Sequence, residues 1–271
     1  MYSYNGISKE VVSEMVKKIT DWIKSLKMKG AVLGISGGKD STTVAMLLVE
    51  ALGVERVYGV LMPNGVQDDI DDSLSVVKNL GINYSIINMK EAYESLTNQI
   101  GLITKQSAIN VAPRLRMTTL YAIGQTLGYR VCGTGNACEA YVGYCTKWGD
   151  TACDFNPIAN YTVDEVIAIG LFLRKKYNIS EKLINKTPSD GLCGKSDEDR
   201  LGVKYSEIAD VYLGKSVPKC KEEKCNFKYS KIDILSNRSN RSEEEEKRIE
   251  KIRQMHASSK HKFEPIPTCP R

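Results

Sequence analysis

The sequence predicts an α/β fold, a doubly wound parallel sheet with helices on both faces. Short apolar runs alternate with helical periodicities through residue 135, and this alternation is typical of parallel strands joined by crossover helices. The first run, AVLGI, has the composition of a strand buried on both faces. A glycine-rich stretch then separates it from a helix, where sheets of this class bind ligands.

The first elements of the chain predict helix, strand, helix and strand. Apolar residues recur at helical spacing between residues 7 and 27. AVLGI at 31–35 is the first strand, and TTVAMLLVEAL at 42–52 is a helix that a glycine ends. VYGVLM at 57–62 is the second strand, closed by Pro-Asn-Gly.

The next elements continue the alternation and then break it. A helix over 68–80 and a strand over 82–87 precede a long helical zone, and YRVCGTGN at 129–136 contains a fourth strand. After residue 150 the pattern is mainly helical, with one helix over 163–177. Near the C-terminus, a serine followed three positions later by a glutamate is a capping box that opens a further helix.

The bulk properties narrow the function classes. The chain has 271 residues, of which 42% are hydrophobic and 26% charged, as in an ordinary globular protein. No apolar run approaches the roughly 20 residues that cross a bilayer, and no secretory signal opens the chain. A net charge of +5 is too small for the basic stripe of a nucleic-acid binder. We therefore expect a cytoplasmic protein without a nucleic-acid or membrane partner, whose eight cysteines are reduced thiols.

The stretch AVLGISGGKDST at 31–42 indicates a phosphate-binding loop. Its glycines allow close approach of the backbone, and the N–H groups at a helix start favour an anion. Serine hydroxyls and Lys39 add further donors. A Walker loop is excluded because Asp40 follows Gly38-Lys39 where Ser or Thr is needed. A dinucleotide fingerprint at Gly133 fails because Cys138 occupies its third glycine position.

SGGKDS resembles the pyrophosphate loop SGGxDS of the ATP pyrophosphatase family, whose members adenylate a substrate oxygen before a nitrogen or sulfur nucleophile attacks. Residues 110–158 contain NVxxRxRM, GTxNxxE, GYxTKxGD and DxxPI, which are similar to the motifs of NAD synthetases. The resemblance extends from about residue 7 to 262. It implies an adenine nucleotide α-hydrolase-like, Rossmann-like fold in a single domain, 1–271, without an N-terminal glutamine amidase domain.

The resemblance also implies the reaction and its participants. Deamido-NAD would be amidated by ammonia at the expense of ATP, through an acyl-adenylate, with release of AMP and pyrophosphate, in the last step of NAD biosynthesis. Mg²⁺ would be required, and the enzyme would be a homodimer. Two alternatives remain: another adenylating ligase of the superfamily, such as a tRNA thiolase, or a nucleotide sensor that has lost catalysis.

The same resemblance assigns site residues. Asp40 and Glu139 carry the oxygen ligands that suit Mg²⁺. Lys39 would stabilise phosphate charge, and Asp150 would lie near the ammonia and act as a general base. The residues expected to contact ATP are Gly34, Ile35, Ser36, Gly37, Gly38, Lys39, Asp40, Ser41, Thr134 and Ser189. Those expected to contact deamido-NAD are Arg114 (with Arg116 as the competing choice), Tyr144, Lys147, Asp154, His261 and Lys262.

One position departs from the family pattern. The family usually has an ATP-contacting lysine about six residues after the Pro-Ile of DxxPI, and here that residue is Val163. We expect another cation to supply the missing charge, with Lys39, Lys186 and Lys195 as candidates.

Overall fold

A computed structural model describes residues 3–186, 197–214 and 242–264. Its strands are β1 (Ser3–Tyr4), β2 (Ile7–Ser8), β3 (Ala31–Gly34), β4 (Val57–Leu61), β5 (Asn83–Ile86) and β6 (Arg130–Val131). Its α-helices are α1 (Lys9–Ser25), α2 (Lys39–Leu52), α3 (Ile70–Leu80), α4 (Lys90–Ile100), α5 (Lys105–Ile109), α6 (Val111–Leu127), α7 (Ala137–Val142), α8 (Val163–Leu173), α9 (Glu181–Ile184), α10 (Asp197–Leu201), α11 (Tyr205–Tyr212) and α12 (Glu243–Ser259). Single 3₁₀ turns cover Val54–Arg56 and Lys260–Lys262.

The main sheet has the strand order β5-β4-β3-β6, and every pair in it is parallel. Strand β3, the first of these four along the chain, therefore lies between β4 and β6. Chain connections leave β3 and β6 in opposite directions, which makes the carboxyl ends of these two strands a switch point where such sheets bind ligands. The predicted parallel α/β fold is confirmed.

The sheet is covered on both faces, as predicted. Val32, Val60 and Val131 belong to a core cluster with side chains of α6. Ala31 and Leu33, which alternate with Val32 along β3, belong to the larger cluster formed with α1, α2, α3 and α8. Because successive side chains of a strand point to opposite faces, helices pack on each side of the sheet.

A smaller hydrophobic cluster lies beyond the carboxyl end of β6. It joins α7, α11 and α12 through Cys138, Val142, Ile208 and Ile252. The capping box predicted near the C-terminus opens α12, with Ser242 as the N-cap. None of the helices in the described ranges is long and apolar enough to cross a membrane.

Several helix boundaries differ from the predicted ones, most of all the start of α2 and the end of α8. Helix α2 begins at Lys39 and not at Thr42, because Gly38 already adopts the extended conformation of an N-cap. Helix α8 ends at Leu173 and not at residue 177. There the chain reverses through Asn178, whose φ is +51°, and buries Ile179 in the main core.

Candidate active site

The predicted phosphate loop lies at the carboxyl end of β3 and leads into α2. Gly37 has a φ of +74°, and a Cβ atom on it would come within 3.0 Å of the Cβ of Asp72 and the backbone nitrogen of Ser73. Glycine is therefore needed here for its backbone conformation and for space. Gly38 is the N-cap of α2, so the helix begins with the N–H groups and the positive dipole end that favour an anion.

Hydroxyl groups and a strand contact order the loop. The Oγ atoms of Ser36 and Ser41 lie 3.0 Å apart, and the Ser36 N–H donates to Ser41 Oγ at 3.2 Å. Upstream, Gly34 ends β3, and the Ile35 N–H donates to the Val60 carbonyl at 2.9 Å. The loop is one ordered turn between a strand and a helix.

Lys39 is buried among carboxylates. Its side chain is 4% exposed, and Nζ lies 2.8 Å from Asp40 Oδ2 and 5.6 Å from the centre of the Tyr205 ring. Burial lowers the pKa of this lysine, but Asp40, Glu139 and Asp197 together raise it, so the net shift is upward. Lys39 is therefore a fixed positive charge at the loop.

Asp197 is a site carboxylate that sequence reasoning missed. It is buried at the start of α10 and accepts hydrogen bonds from the hydroxyls of Tyr144 at 3.1 Å and Tyr205 at 3.5 Å. Burial raises its pKa, while Tyr144 and Lys39 oppose the rise. No site role was predicted for Asp197, because Lys39 and Tyr144 lie far away from it along the chain.

Asn136 connects the loops that follow β3 and β6. Its Oδ1 accepts from the N–H groups of Cys138 at 3.0 Å and Glu139 at 3.1 Å, and its Nδ2 donates to Asp40 Oδ1 at 3.3 Å. Glu139 Oε2 accepts from the Asn136 N–H at 3.1 Å and completes a capping box for α7. Thr134 lies two residues before this cap and is half-buried. Asn136 was not among the predicted site residues, and the Asn-x-x-Glu spacing, which is a capping signature, was the signal that could have found it.

Asp40 and Glu139 fit the requirements of a magnesium ion. Burial and the charge of Asp40 raise the pKa of Glu139, and Lys39 offsets only part of that rise, so a further cation would favour the pair. Among the described residues, no three or more His, Cys, Asp or Glu side chains assemble into a metal cluster. Two carboxylates suffice for Mg²⁺, which usually takes its remaining ligands from water and substrate phosphates.

A second group of predicted residues gathers around the turn that contains Lys147. Lys147 Nζ donates to the His261 carbonyl, and Arg114 Nε donates to the Lys147 carbonyl at 3.3 Å. Lys262 Nζ donates to two backbone carbonyls in the loop before Lys147, at 2.6 and 2.7 Å. These bonds to backbone carbonyls bring together three parts of the chain, those that carry Arg114, Lys147 and the pair of His261 and Lys262.

Asp150 closes this turn. Its Oδ1 accepts from the Thr146 N–H at 2.8 Å. Desolvation by the surrounding protein raises the pKa of Asp150, and the Thr146 N–H and Lys262 oppose the rise. Arg116 Nε donates to the Met62 carbonyl at 3.2 Å, and its guanidinium interacts with the charge of Asp150. Both arginines of the NVxxRxRM motif therefore border this group.

Asp154 has partners inside the fold. Its Oδ2 accepts from the Val131 N–H at 2.7 Å and its Oδ1 from the Tyr121 hydroxyl at 3.2 Å, while its own N–H donates to the Val131 carbonyl at 2.9 Å. The carboxylate thus holds the chain beside β6, a role that the sequence did not indicate. Its contact with deamido-NAD stays a prediction.

The departure at Val163 has a structural setting. Val163 is the first residue of α8 and is buried in the cluster of α7, α11 and α12. Among the lysines considered as substitutes, Lys186 is engaged with two aspartates at the start of α3. Lys39 belongs to the phosphate loop itself. Ser189 and Lys195 lie outside the described residues.

Comparisons with known proteins identify relatives of this chain. The family model described as NAD synthase matches residues 11–266. An NH₃-dependent NAD⁺ synthetase of Thermococcus sibiricus is 36% identical over 244 residues, which cover 88% of this chain and 94% of that protein. A second, of Pyrococcus horikoshii, is 39% identical over 200 residues, 73% of this chain and 76% of that protein.

Two solved structures are similar to this chain in three dimensions. An NMN synthetase from Francisella tularensis has a TM-score of 0.77 and 31% identity, covering 95% of this chain and 98% of that one. An NH₃-dependent NAD synthetase from Campylobacter jejuni has a TM-score of 0.70 and 26% identity, covering 96% and 99%. The predicted family is thereby confirmed: the chain belongs to the NAD synthase family of ligases.

Proposed function

We propose that this chain catalyses the ATP-dependent amidation of deamido-NAD by ammonia, forming NAD⁺, AMP and pyrophosphate. The observation that carries the proposal is the hydrogen bond from Asn136 to Asp40. It joins the phosphate loop after β3 to the acidic cap after β6, so that an anion-binding helix start, a buried lysine and two carboxylates share one end of the sheet. The substrates are inferred from family membership.

The ATP half of the site would use the loop and Lys39. The N–H groups at the start of α2 and the Lys39 ammonium suit the negative charge of the pyrophosphate. Asp40 and Glu139 would hold Mg²⁺, which supplies charge neutralisation on the phosphates when it is bound. Because Lys39 is already held beside Asp40, little reorganisation is needed when the phosphates arrive.

The acceptor half of the site would use Tyr144 and the basic residues around the turn that contains Lys147. Arg114, Lys147, His261 and Lys262 offer positive charge and donors for the diphosphate of deamido-NAD. The Tyr144 hydroxyl is fixed by Asp197, which leaves its ring available to the pyridine. These assignments rest on proximity and on the family resemblance.

The chemistry would proceed in two steps. A nicotinate carboxylate oxygen bonds to the α-phosphorus of ATP, and the bond to the leaving pyrophosphate breaks. Ammonia then adds to the carbonyl carbon, and AMP leaves with the former carboxylate oxygen. Asp150 would attract ammonium and accept the proton released during attack, and its raised pKa brings its basicity closer to that task.

A second candidate acceptor is a mononucleotide. It is favoured by the similarity to the Francisella enzyme named as an NMN synthetase, at 31% identity over nearly the whole of both chains. The adenylation and amidation steps are the same for both acceptors, and only the adenylate half of the acceptor differs. The acceptor must therefore be decided by assay.

We also propose a homodimer. Apolar side chains stay exposed along β5 and α4, namely Tyr84, Ile86, Leu96 and Ile100, and we infer that they contribute to the contact between subunits. The cytoplasmic location stays a prediction of the sequence.

The first experiment measures NAD⁺ formation from deamido-NAD, ATP and Mg²⁺ with ammonium or glutamine as the nitrogen source, and amide formation from nicotinate mononucleotide in parallel. Asp40→Ala should abolish turnover, and Asp21→Ala, which removes an exposed carboxylate of α1, serves as the matched control. We expect NAD⁺ with ammonium and little with glutamine. Pyrophosphate release without amide would move the substrate elsewhere among adenylating ligases, and ATP binding without pyrophosphate release would identify a nucleotide sensor.

A further inference from the structure

Trp148 has an unusual position at the tip of the turn that carries Lys147 and Asp150. Its backbone φ is +62° and its side chain is 52% exposed. A bulky L-residue rarely adopts this left-handed conformation, and the strain of such positions costs of order 1 kcal/mol or more. An exposed indole adds little to the core, so packing does not explain why the strain is tolerated.

The turn that presents Trp148 is rigid. The Trp148 N–H donates to Thr151 Oγ1 at 3.0 Å, and the Gly149 N–H donates to the Thr146 carbonyl at 2.9 Å. Asp150 adds its own bond to the Thr146 N–H. The indole is thus held outside the fold by a fixed support, and a preorganised ring loses little freedom when it binds a ligand.

A cation lies beside the indole. Lys147 Nζ lies 5.5 Å from the centre of the Trp148 ring. Lys147 Nζ also donates to the backbone carbonyl of His261, and Arg114 Nε donates to the backbone carbonyl of Lys147. A flat, exposed aromatic ring beside a cation is a combination that suits a nucleotide, because the ring can stack on the base while the cation holds a phosphate.

We propose that Trp148 stacks on the adenine of the acceptor dinucleotide and makes the site prefer a dinucleotide over a mononucleotide. Tyr144 lies on the inner side, bonded to buried Asp197, and Trp148 lies four residues on, at the exposed rim. Lys147, beside the indole, and Arg114, bonded to the Lys147 carbonyl, are the nearby cations. An acceptor with its pyridine at Tyr144 and its diphosphate on these cations directs its adenosine to Trp148. This inference rests on the proposed function.

Steady-state kinetics test the proposal with Trp148→Ala and Trp148→Phe. Both replacements keep a side chain at the left-handed backbone position, so they differ from each other mainly in the ring. We expect Trp148→Ala to raise the KM for deamido-NAD about 5- to 100-fold, the range for loss of one base stack. Trp148→Phe should raise it less. The KM for ATP and that for nicotinate mononucleotide should not change.

Fluorescence tests the contact without turnover. The chain has two tryptophans, so Trp22→Phe leaves Trp148 as the only indole, and Trp22 lies on α1, outside the proposed site. In this variant, deamido-NAD or NAD⁺ should quench the emission, whereas nicotinate mononucleotide should quench it far less. The titration works even if no amide forms, which separates a failure of this inference from a failure of the proposed function.

Three results would overturn the inference. One is a KM for deamido-NAD that Trp148→Ala leaves unchanged, and another is an equal rise for the mononucleotide, which would place Trp148 at the pyridine half. The third is an emission that responds to protein concentration and not to dinucleotide, which would assign Trp148 to a contact between two copies of the chain.

Discussion

Replacing Lys39 with methionine should destabilise the ligand-free protein in a pH-dependent manner. Methionine has a similar length and is apolar, so the change removes the charge and largely keeps the volume. Lys39 is 4% exposed and lies 2.8 Å from Asp40, with Glu139 and Asp197 also raising its pKa. Without the lysine, the three acidic groups lose the cation that the structure places among them.

The magnitude follows from the burial of the pair. Removing one partner of a buried ion pair costs about 3–5 kcal/mol, and we expect about 3 kcal/mol because Asp40 keeps some contact with solvent. With an m-value of about 3 kcal/mol per M for urea, the unfolding midpoint should fall by about 1 M at pH 7.5.

The pH dependence has a definite sign. The raised pKa of Lys39 means that the lysine stabilises the fold throughout the range below the normal lysine pKa. Burial raises the pKa of Glu139 and of Asp197, and Lys39 lowers both. Without the lysine, ionising these two groups in the folded protein costs more free energy than in the parent, at any pH above about 4, where they ionise in the unfolded chain. The difference from the parent protein should therefore shrink as the pH falls from 7.5 to 5.

The assay is urea unfolding of the metal-free and nucleotide-free protein at both pH values. Lys17→Met is the matched control, because Lys17 pairs with Asp21 on an exposed face of α1 and such pairs stabilise little. If Lys39→Met unfolded with the same midpoint as Lys17→Met, or if its deficit did not depend on pH, the description of Lys39 as the neutralising charge would be wrong.

Three further predictions concern single positions. Glu139→Gln keeps the acceptor for the Asn136 N–H but removes a carboxylate whose pKa is raised by burial and Asp40. The free energy of unfolding of the metal-free variant should exceed that of the parent by about 1 kcal/mol or more at pH 8 and should match it near pH 4. Calorimetry should show weaker Mg²⁺ binding. Gly37→Ala places a Cβ at a φ of +74° and 3.0 Å from neighbouring atoms. The KM for ATP should rise at least about tenfold, since a misplaced loop loses its phosphate contacts. The control Gly53→Ala, at a φ of +83° with open space around it, should lose stability without a change in the KM for ATP. Asp154→Ala leaves the Val131 N–H without its 2.7 Å partner, and thermal unfolding should show a loss of about 1–3 kcal/mol in the free energy of unfolding. Asp154→Asn keeps an oxygen and should lose less. Equal losses in both variants would assign the effect to the charge and not to the hydrogen bond.

Much of the fold was predictable from local pattern. The apolar runs at β3 and β4 and the glycines that end α2 and α3 are set by neighbours in sequence, so periodicity and turn chemistry identify them. The phosphate loop was predictable for the same reason, since a strand, two glycines and a helix start are contiguous. The beginning of α2 was misjudged by three residues because Lys39, Asp40 and Ser41 have no periodicity that separates a loop from a first helical turn.

The candidate site was predictable in its residue types but not in its contacts. The sequence motifs select Asp40 and Glu139, yet they do not show that Asn136 bonds to both. Nor do they show that Asp154 is bound to the N–H of Val131. Hydrogen bonds of this kind depend on the distances between segments after folding, and spacing along the chain carries no information about them.

By itself, the sequence determined the alternation of strands and helices, the anion-binding loop and the family to which the chain belongs, because each depends on residues that are neighbours in the chain or on motifs with fixed spacing. Only the tertiary structure decided that Lys39 is buried, that Asp197 joins it from 158 positions away, and that Trp148 stands exposed beside Lys147. The physical reason is that burial and the electric field at a side chain are properties of everything packed around it.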